Sequence, residues 1–280
     1  MTDKDRLVHK LPVALSALVG SIVFQAIFRK RGGFMYRQAV AVICIMASAF
    51  YGVLASLTLP LFGKAHLINW SVARVEYYLC KTFLGITATV EGKENLPSED
   101  EQVVYVCNHQ SMMDIMYMAR VFPKRTSVVA KKVIKYYPFL GWFMMLSKAV
   151  FLDRGNRESA IKEAKNAAKD IHKKKTSVWI FPEGTRGNSA EIDLLPFKKG
   201  AFYMAAQAKV PIVPIVIANY KDIYHTKSKR FGHGDIKIKI LPRVSTESIL
   251  EDSDDINKLV NQVRNQMLNV LKEISVEKNE

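Results

Sequence analysis

Two long uncharged stretches lie in the first quarter of the chain, at residues 11–28 and 39–62. A helix that crosses the hydrocarbon core of a bilayer needs about 20 apolar residues; the second stretch has 24 and the first has 18. The connector between them, RKRGGFMYRQ, is short and basic, so the two helices must run antiparallel. The pattern predicts a membrane-embedded helical hairpin that either spans the bilayer or dips into one leaflet. A cleaved signal peptide is the alternative for the first stretch, and basic residues on both sides of each stretch leave the orientation open.

From about residue 86, short apolar runs alternate with helical patterns. Most of these runs are continuous, as in strands that are buried on both faces, while the last one alternates. The predicted strands are ITATV (86–90), VVYVC (103–107), SVVA (127–130), SVWIF (177–181), PIVPIVI (211–217) and DIKIKIL (235–241). Residues 157–175 and 256–274 have apolar positions at helical spacing. We therefore predict an α/β fold with a mostly parallel sheet flanked by helices, preceded by the N-terminal membrane helical hairpin.

The predicted domain boundary falls near residue 65. Residues 1–65 would form the hairpin, and residues 66–280 would form the α/β domain, beginning with a helix near 66–84. Lysine and arginine outnumber acidic residues by 41 to 26, which gives a net charge of +15. This excess indicates an anionic partner, whether nucleic acid, an anionic membrane surface or a phosphate-bearing substrate. The three cysteines have no CxxC spacing, so neither a disulfide framework nor a cysteine zinc site is predicted.

The string NHQSMMD places His109 and Asp114 directly after a predicted strand. Ser111 is a plausible N-cap for the helix that follows. Residues five apart on one continuous helix do not face each other, so the pair can meet only if His109 lies in the loop before the helix. An aspartate that accepts from one imidazole nitrogen leaves the other nitrogen available as a base. The alternative is a structural pair that pins the strand–helix turn.

A second polar string, FPEGTR, also follows a predicted strand. Ligands of open α/β sheets bind outside the carboxyl ends of the strands, Gly184 permits close backbone approach, and the fork of Arg186 suits a phosphate. An ordinary turn with a surface arginine is the alternative.

Two further strings bring charge to the ends of apolar segments. FLDR ends in Asp153 and Arg154, which could equally form an internal salt bridge. LPFKKG places Lys198 and Lys199 at a predicted helix start, where solvated lysines are common. Four such strings together favour a site over four coincidences.

In this order, NHQSMMD, FLDR, FPEGTR and VPIVPIV are similar to the four motifs of the glycerolipid acyltransferase family, and most closely resemble its 1-acylglycerol-3-phosphate acyltransferases. The likeness covers most of the chain from about residue 66 and extends into ANYKDIYHTKSKRF. The resemblance implies transfer of an acyl chain from acyl-CoA to the sn-2 hydroxyl of lysophosphatidate. Any one motif is only moderately specific, whereas four in order are strong.

The resemblance also implies roles for individual residues. His109 would be the general base and Asp114 its orienting partner, without a covalent acyl-enzyme. Arg154 and Arg186 would bind the phosphate, and Glu183, Gly184 and Thr185 would shape the substrate pocket. Apart from the resemblance, Lys131, Lys132, Lys198 and Lys199 are candidates to contact the phosphates of acyl-CoA, which is a co-substrate and not a bound cofactor. No metal site is predicted.

Other functions remain as alternatives at this stage. The acceptor could be glycerol-3-phosphate or another lysophospholipid. A non-catalytic lipid-binding membrane protein would keep the hairpin but would not need the His–Asp pair. The two apolar stretches argue against a nucleic-acid partner. We expect a membrane location, in the endoplasmic reticulum or alternatively in a bacterial inner membrane.

Overall fold

The computed structural model describes Gly20 and residues 33–152, 157–187, 192–250 and 253–276. The first uncharged stretch, apart from Gly20, lies outside these residues, and the predicted hairpin and domain boundary therefore stay predictions. The helices are α1 (Phe34–Thr58), α2 (Ile68–Leu84), α3 (Asp114–Val121), α4 (Leu140–Leu146), α5 (Arg157–Lys173), α6 (Gly200–Ala208) and α7 (Ser253–Val276). The strands are β1 (Ile86–Glu91), β2 (Val104–Cys107), β3 (Thr126–Lys131), β4 (Val150–Leu152), β5 (Ser177–Ile180), β6 (Ile212–Ile217), β7 (Tyr224–His225), β8 (Arg230–Phe231) and β9 (Gly234–Ile240).

Seven of the strands form one sheet, in the spatial order β1-β9-β6-β2-β5-β3-β4. Neighbouring strands are parallel throughout, except for the antiparallel pair of β6 and β9. The predicted α/β fold with a mostly parallel sheet is therefore confirmed. The prediction missed β4 and the small β7–β8 hairpin, because runs of two or three residues carry no detectable periodicity.

The centre of the sheet is buried along its whole length. Every residue of β2, β5 and β6 is buried, which explains why these strands read as continuous apolar runs. Helices α2, α3, α6 and α7 add Leu84, Met116, Phe202 and Val263 to the same core. The core therefore fixes the central strands rigidly, and with them the loops at their ends.

Helix α1 continues through a 3₁₀ turn to Phe62. Within the described residues, this 29-residue segment is the one helix long and apolar enough to cross a membrane. One face packs against the domain: Ser48 donates to Glu76 of α2, and Gly52 lies against the ring of Phe143 of α4. Much of the opposite face is exposed and carries large apolar side chains, namely Met35, Val42, Ile43, Phe50, Leu54, Leu57, Leu61 and Phe62.

Candidate active site

Three neighbouring parallel strands deliver the polar motifs to one edge of the sheet. Strand β2 lies between β5 and β6, and these strands end at Cys107, Ile180 and Ile217. NHQSMMD, FPEGTR and ANYKD begin within two residues of these ends. Because the carboxyl ends of parallel strands meet at the same edge, residues far apart in sequence become neighbours.

The predicted contact between His109 and Asp114 is present. The two side chains meet with Nδ1 2.7 Å from Oδ2, and the aspartate side chain is completely buried. Helix α3 begins at Asp114 with Met113 as its N-cap, two residues later than the Ser111 N-cap that the sequence suggested. His109 therefore lies in the loop before the helix, as the contact requires.

The turn before α3 is built around the carboxylate of Asp114. Its Oδ2 atom also accepts hydrogen bonds from the backbone N–H groups of Gln110 (2.6 Å) and Ser111 (2.8 Å). These two donors fix the position of the carboxylate at the start of the helix. When Asp114 accepts the Nδ1–H of His109, the lone pair of the imidazole lies on Nε2. The arrangement therefore favours the imidazole tautomer that a general base needs.

Tyr220 is a fourth partner of Asp114 that sequence reasoning did not assign. Its hydroxyl donates to Oδ1 at 2.5 Å and lies 2.9 Å from the hydroxyl of Ser111. Burial, followed by the nearby charge of Asp114, raises the pKa of Tyr220, so the phenol stays a donor. The sequence signal that could have pointed to Tyr220 is the string ANYKD, which is part of the family likeness.

The FPEGTR motif and the glycine that follows it fix the backbone N–H and carbonyl of His109. The His109 N–H donates to Oε1 of Glu183 at 2.7 Å, and the His109 carbonyl accepts from the Gly187 N–H at 2.9 Å. The imidazole also stacks on Phe181, with ring centroids 4.2 Å apart. His109 is therefore fixed through its main chain, its ring face and Nδ1.

Glu183 holds neighbouring loops together through its hydrogen bonds, and it does not line the cavity described below. Its second oxygen accepts the Leu195 N–H at 3.0 Å, so the buried carboxylate links three segments. Burial raises the pKa of Glu183 to about 7, although its bonds to the His109 and Leu195 N–H groups act in the opposite direction. Gly184 is half-buried, with φ at +73°, in the left-handed region that favours glycine. The predicted contact of these two residues with substrate is untested.

Asn108 and Gln110 fasten the loop to the end of β6. The Asn108 amide both donates to the Ile217 carbonyl (2.9 Å) and accepts from the Ile217 N–H (2.8 Å). Gln110 donates to the carbonyls of Ile217 and Ala218, both at 3.1 Å. The side chains flanking His109 thus continue the β2–β6 pairing beyond the end of the strand.

A cavity of about 620 Å³ opens beside His109. Its size is in the usual range for a small-molecule site. Most of its wall is apolar and comes from α1, α2, α3, β3 and α4: Ile45, Ala49, Val72, Ala73, Ile115, Met118, Ala119, Phe122, Val128, Val129, Ala130, Leu140, Phe143 and Met144. His109 is 15% exposed and lines this cavity, as do the cationic side chains of Arg186 and Lys131. The space therefore combines a base and positive charge with an apolar wall.

The remaining predicted cations are placed differently. Arg154 lies outside the described residues, and its predicted phosphate contact stays a prediction. Lys198 and Lys199 are exposed at the start of α6 and do not line the cavity. Thr185 and Arg186 do line it. The structure thus brings Arg186 and Thr185 to His109, but not the two lysines.

Neither candidate for a covalent nucleophile is well placed. Cys107 is fully buried in β2, and burial raises the pKa of its thiol well above the usual range, which disfavours the reactive thiolate. The Ser111 hydroxyl accepts the Met113 N–H and contacts Tyr220. Among the described residues, no group of three or more His, Cys, Asp or Glu side chains is arranged to hold a metal ion.

Fold and site together define an α/β enzyme with a histidine–carboxylate pair beside an apolar cavity. A family model described as Acyltransferase matches residues 87–218, which include the histidine, the FPEGTR motif and the end of β6. The chain is 42% identical to the 1-acyl-sn-glycerol-3-phosphate acyltransferase of Saccharomyces cerevisiae, over 87% of this chain and 80% of that protein. It is 36% identical to the human 1-acyl-sn-glycerol-3-phosphate acyltransferase alpha, over 81% of this chain and 78% of that protein.

A solved structure shows the same architecture. The crystal structure of the 1-acyl-sn-glycerophosphate acyltransferase of Thermotoga maritima aligns with a TM-score of 0.66 and 27% identity, covering 85% of this chain and 94% of that one. The chain therefore belongs to the acyltransferase family that contains these enzymes.

Proposed function

We propose that this protein transfers an acyl chain from acyl-CoA to the sn-2 hydroxyl of lysophosphatidate, giving phosphatidate and CoA. The observation that carries the proposal is the His109–Asp114 pair beside an apolar cavity with Arg186 at its wall. The relatives named above, whose printed names specify a 1-acyl-sn-glycerol-3-phosphate acceptor, support the choice of acceptor.

The reaction needs a base more than it needs a nucleophile, because the thioester is already activated. Nε2 of His109 removes the proton from the acceptor hydroxyl as the oxygen attacks the thioester carbonyl. The tetrahedral intermediate then collapses, the C–S bond breaks, and the proton passes to the leaving thiolate of CoA. General-base assistance of this kind contributes about 10²–10⁴-fold, and Asp114 stabilises the imidazolium that forms between the two proton transfers.

Two cationic side chains of the cavity would bind the phosphomonoester of the acceptor. Arg186 offers a bidentate fork and Lys131 a point charge, and both line the cavity together with His109. Placing the phosphate against them would leave the glycerol hydroxyl on the side of His109. The apolar part of the cavity would then receive the acyl chain that is transferred.

The location proposed for this chemistry is a membrane, and in a eukaryotic cell the endoplasmic reticulum. Helix α1 supports the membrane part of the proposal, because its exposed face is apolar over most of its length. Both substrates carry long acyl chains, so a site at the bilayer surface would meet them where they are concentrated. Fractionation of cells that produce the tagged protein would test the location, and recovery in the soluble fraction would contradict it.

The activity is tested with membranes that carry the wild type or His109→Ala. Transfer of a labelled acyl chain from acyl-CoA is measured to lysophosphatidate, glycerol-3-phosphate and lysophosphatidylcholine. His66→Ala is the matched control, since His66 is half-buried and does not line the cavity. We expect the wild type to transfer the acyl chain to lysophosphatidate, and the rate to fall at least 100-fold in His109→Ala but not in His66→Ala. A wild-type rate in His109→Ala would contradict the assignment of His109 as the general base. A preference for glycerol-3-phosphate would contradict the assignment of lysophosphatidate as the acceptor.

The phosphate contact is tested by Arg186→Gln. Loss of a charge-assisted hydrogen bond costs about 1.5–3 kcal/mol, so we expect the KM for lysophosphatidate to rise about 10- to 100-fold while the KM for acyl-CoA changes little. An unchanged KM for lysophosphatidate would remove Arg186 from the phosphate site.

A further inference from the structure

A second cavity, of about 280 Å³, adjoins the first one across the start of β4. Ala149 lines both cavities, and the neighbouring residues Lys131 and Lys132 line the first and the second, respectively. Ala149, Val150, Phe151 and Ala167 form the apolar part of the lining of the second cavity, here called the apolar floor. His109, Asp114, Thr185 and Arg186 do not line this cavity, whereas Lys132, one of the candidates for the acyl-CoA phosphates, does.

The rim of this cavity carries four lysines: Lys132, Lys135, Lys148 and Lys174. Among the described residues that line the cavity, Asp170 is the one carboxylate, and it forms an ion pair with Lys174. The ammonium group of Lys135 lies 4.7 Å from the centroid of the Phe151 ring. Lysine ammonium groups gathered around one small space can share a multiply charged anion through charge-assisted hydrogen bonds.

Lys148 adds an independent observation. Its backbone has φ at +59°, in the left-handed region, where a residue with a Cβ is strained relative to glycine. Glycine is the usual residue at such a position after a helix, and α4 ends two residues before it. The chain places a lysine there instead, and its side chain lines the cavity.

We propose that this lysine-lined cavity binds phosphate groups, and that their source is the nucleotide end of the acyl-CoA donor. This inference rests on the proposed function, because it assigns the part of the donor farthest from the thioester. The volume is small for a whole ligand and suits one phosphate-bearing end, while the apolar floor suits a sugar or a base. One extended donor would place its thioester in the first cavity and its phosphates in the second, passing Ala149, which lines both.

The test uses the full chain and donors that differ only in their phosphates. Lys148→Gly removes the charge and relieves the strained backbone, so any loss of affinity cannot be attributed to damage to the fold. Lys175→Gly is the matched control, since Lys175 is also exposed with a left-handed backbone (φ +46°) and does not line the cavity. The donors are acyl-CoA, the same thioester lacking the 3′-phosphate, and S-acyl-pantetheine, which has no phosphate.

We expect Lys148→Gly to raise the KM for acyl-CoA about 10-fold, as loss of a charge-assisted contact does, with an unchanged kcat and an unchanged KM for lysophosphatidate. With S-acyl-pantetheine the variant and the wild type should be equal. Lys132→Gln should reproduce this pattern and Lys175→Gly should not. An equal loss with all three donors, or no loss with acyl-CoA, would overturn the proposal.

Two further experiments separate nucleotide phosphates from lipid headgroups, and failure of this proposal from failure of the proposed function. Kinetics in neutral detergent micelles and on vesicles that contain anionic lipid distinguish nucleotide phosphates from a lipid headgroup. An effect that is confined to the anionic vesicles and is the same for every donor would overturn the nucleotide assignment. Direct binding of adenosine 3′,5′-bisphosphate, weakened in Lys148→Gly, would support the site without any turnover. That measurement keeps its meaning if lysophosphatidate proves not to be the acceptor.

Discussion

Replacing Asp114 by asparagine removes one negative charge and leaves the size of the side chain unchanged. Two backbone N–H groups and Nδ1 of His109 all face Oδ2, so the amide oxygen must occupy that position. The amide nitrogen then faces Tyr220, whose hydroxyl can accept from it and donate to Ser111, 2.9 Å away. The ring of His109 should therefore keep its place and its tautomer.

The expected loss comes from electrostatics. The imidazolium that forms during proton transfer and the carboxylate of Asp114 have charges spread over their atoms, so their centres lie about 4 Å apart. At the effective dielectric of a protein site, two unit charges at this separation interact by about 4 kcal/mol. Each 1.36 kcal/mol is a factor of ten in rate, and only part of the charge has formed in the transition state. We expect kcat to fall about 10²- to 10³-fold in Asp114→Asn.

The assay is release of the CoA thiol, followed by a colour reagent at saturating lysophosphatidate and acyl-CoA. Asp222→Asn is the control, because Asp222 is exposed and pairs with Arg230 on the surface. Thermal unfolding of both variants checks the fold. A kcat within threefold of the wild type, in an Asp114→Asn protein of unchanged stability, would refute the assignment of Asp114 as the partner of the base.

Three other substitutions follow from the site and its surroundings. The folded-state pKa of Glu183, about 7, lies above the usual value of 4.5, so the folded protein binds more protons than the unfolded chain between these pH values. The free energy of unfolding should therefore fall by up to about 3 kcal/mol as pH rises from 4.5 to 7. Urea titrations at several pH values should show a smaller fall in Glu183→Gln. Tyr220→Phe removes one charge-assisted bond to Asp114, and we expect kcat to fall about 10-fold with both KM values unchanged; a rise in KM alone would contradict a positioning role. Gly52→Ala places a Cβ 2.5 Å from Cδ2 of Phe143, so it should destabilise the protein by about 1–3 kcal/mol, although alanine normally improves a helix interior; added stability in detergent melts would show that α1 and α4 do not pack this way.

The sequence was sufficient for the elements that carry their own periodicity. The six predicted strands match β1, β2, β3, β5, β6 and β9 to within one residue at either end. Continuous burial gives β2, β5 and β6 an apolar run, and alternating burial gives β9 an alternating one. The contact between His109 and Asp114 also followed from helix geometry, once the loop position of His109 was assumed.

What escaped prediction depends on contacts across the sheet. Tyr220 reaches Asp114 over 106 positions of sequence, and no local pattern encodes such a pair. The role of Glu183 in holding the N–H groups of His109 and Leu195 was not predicted either, and its expected contact with substrate stays a prediction. Helix α3 begins two residues later than a Ser111 N-cap implies, although Ser111 does accept the Met113 N–H and donates its own N–H to Asp114, as capping residues do.

Helix α1 presents different sides to the cavity and to the surroundings. Ile45 and Ala49 line the cavity, whereas Ile43 and Phe50 are among its exposed side chains. If the helix lies in a bilayer as proposed, an acyl tail can slide sideways from the lipid phase past this wall. The tail then never becomes hydrated, and the cost of about 0.8 kcal/mol for each CH₂ brought into water is avoided. Discrimination between acyl chains would then depend on the fit inside the cavity, with little contribution from how readily each chain leaves the bilayer.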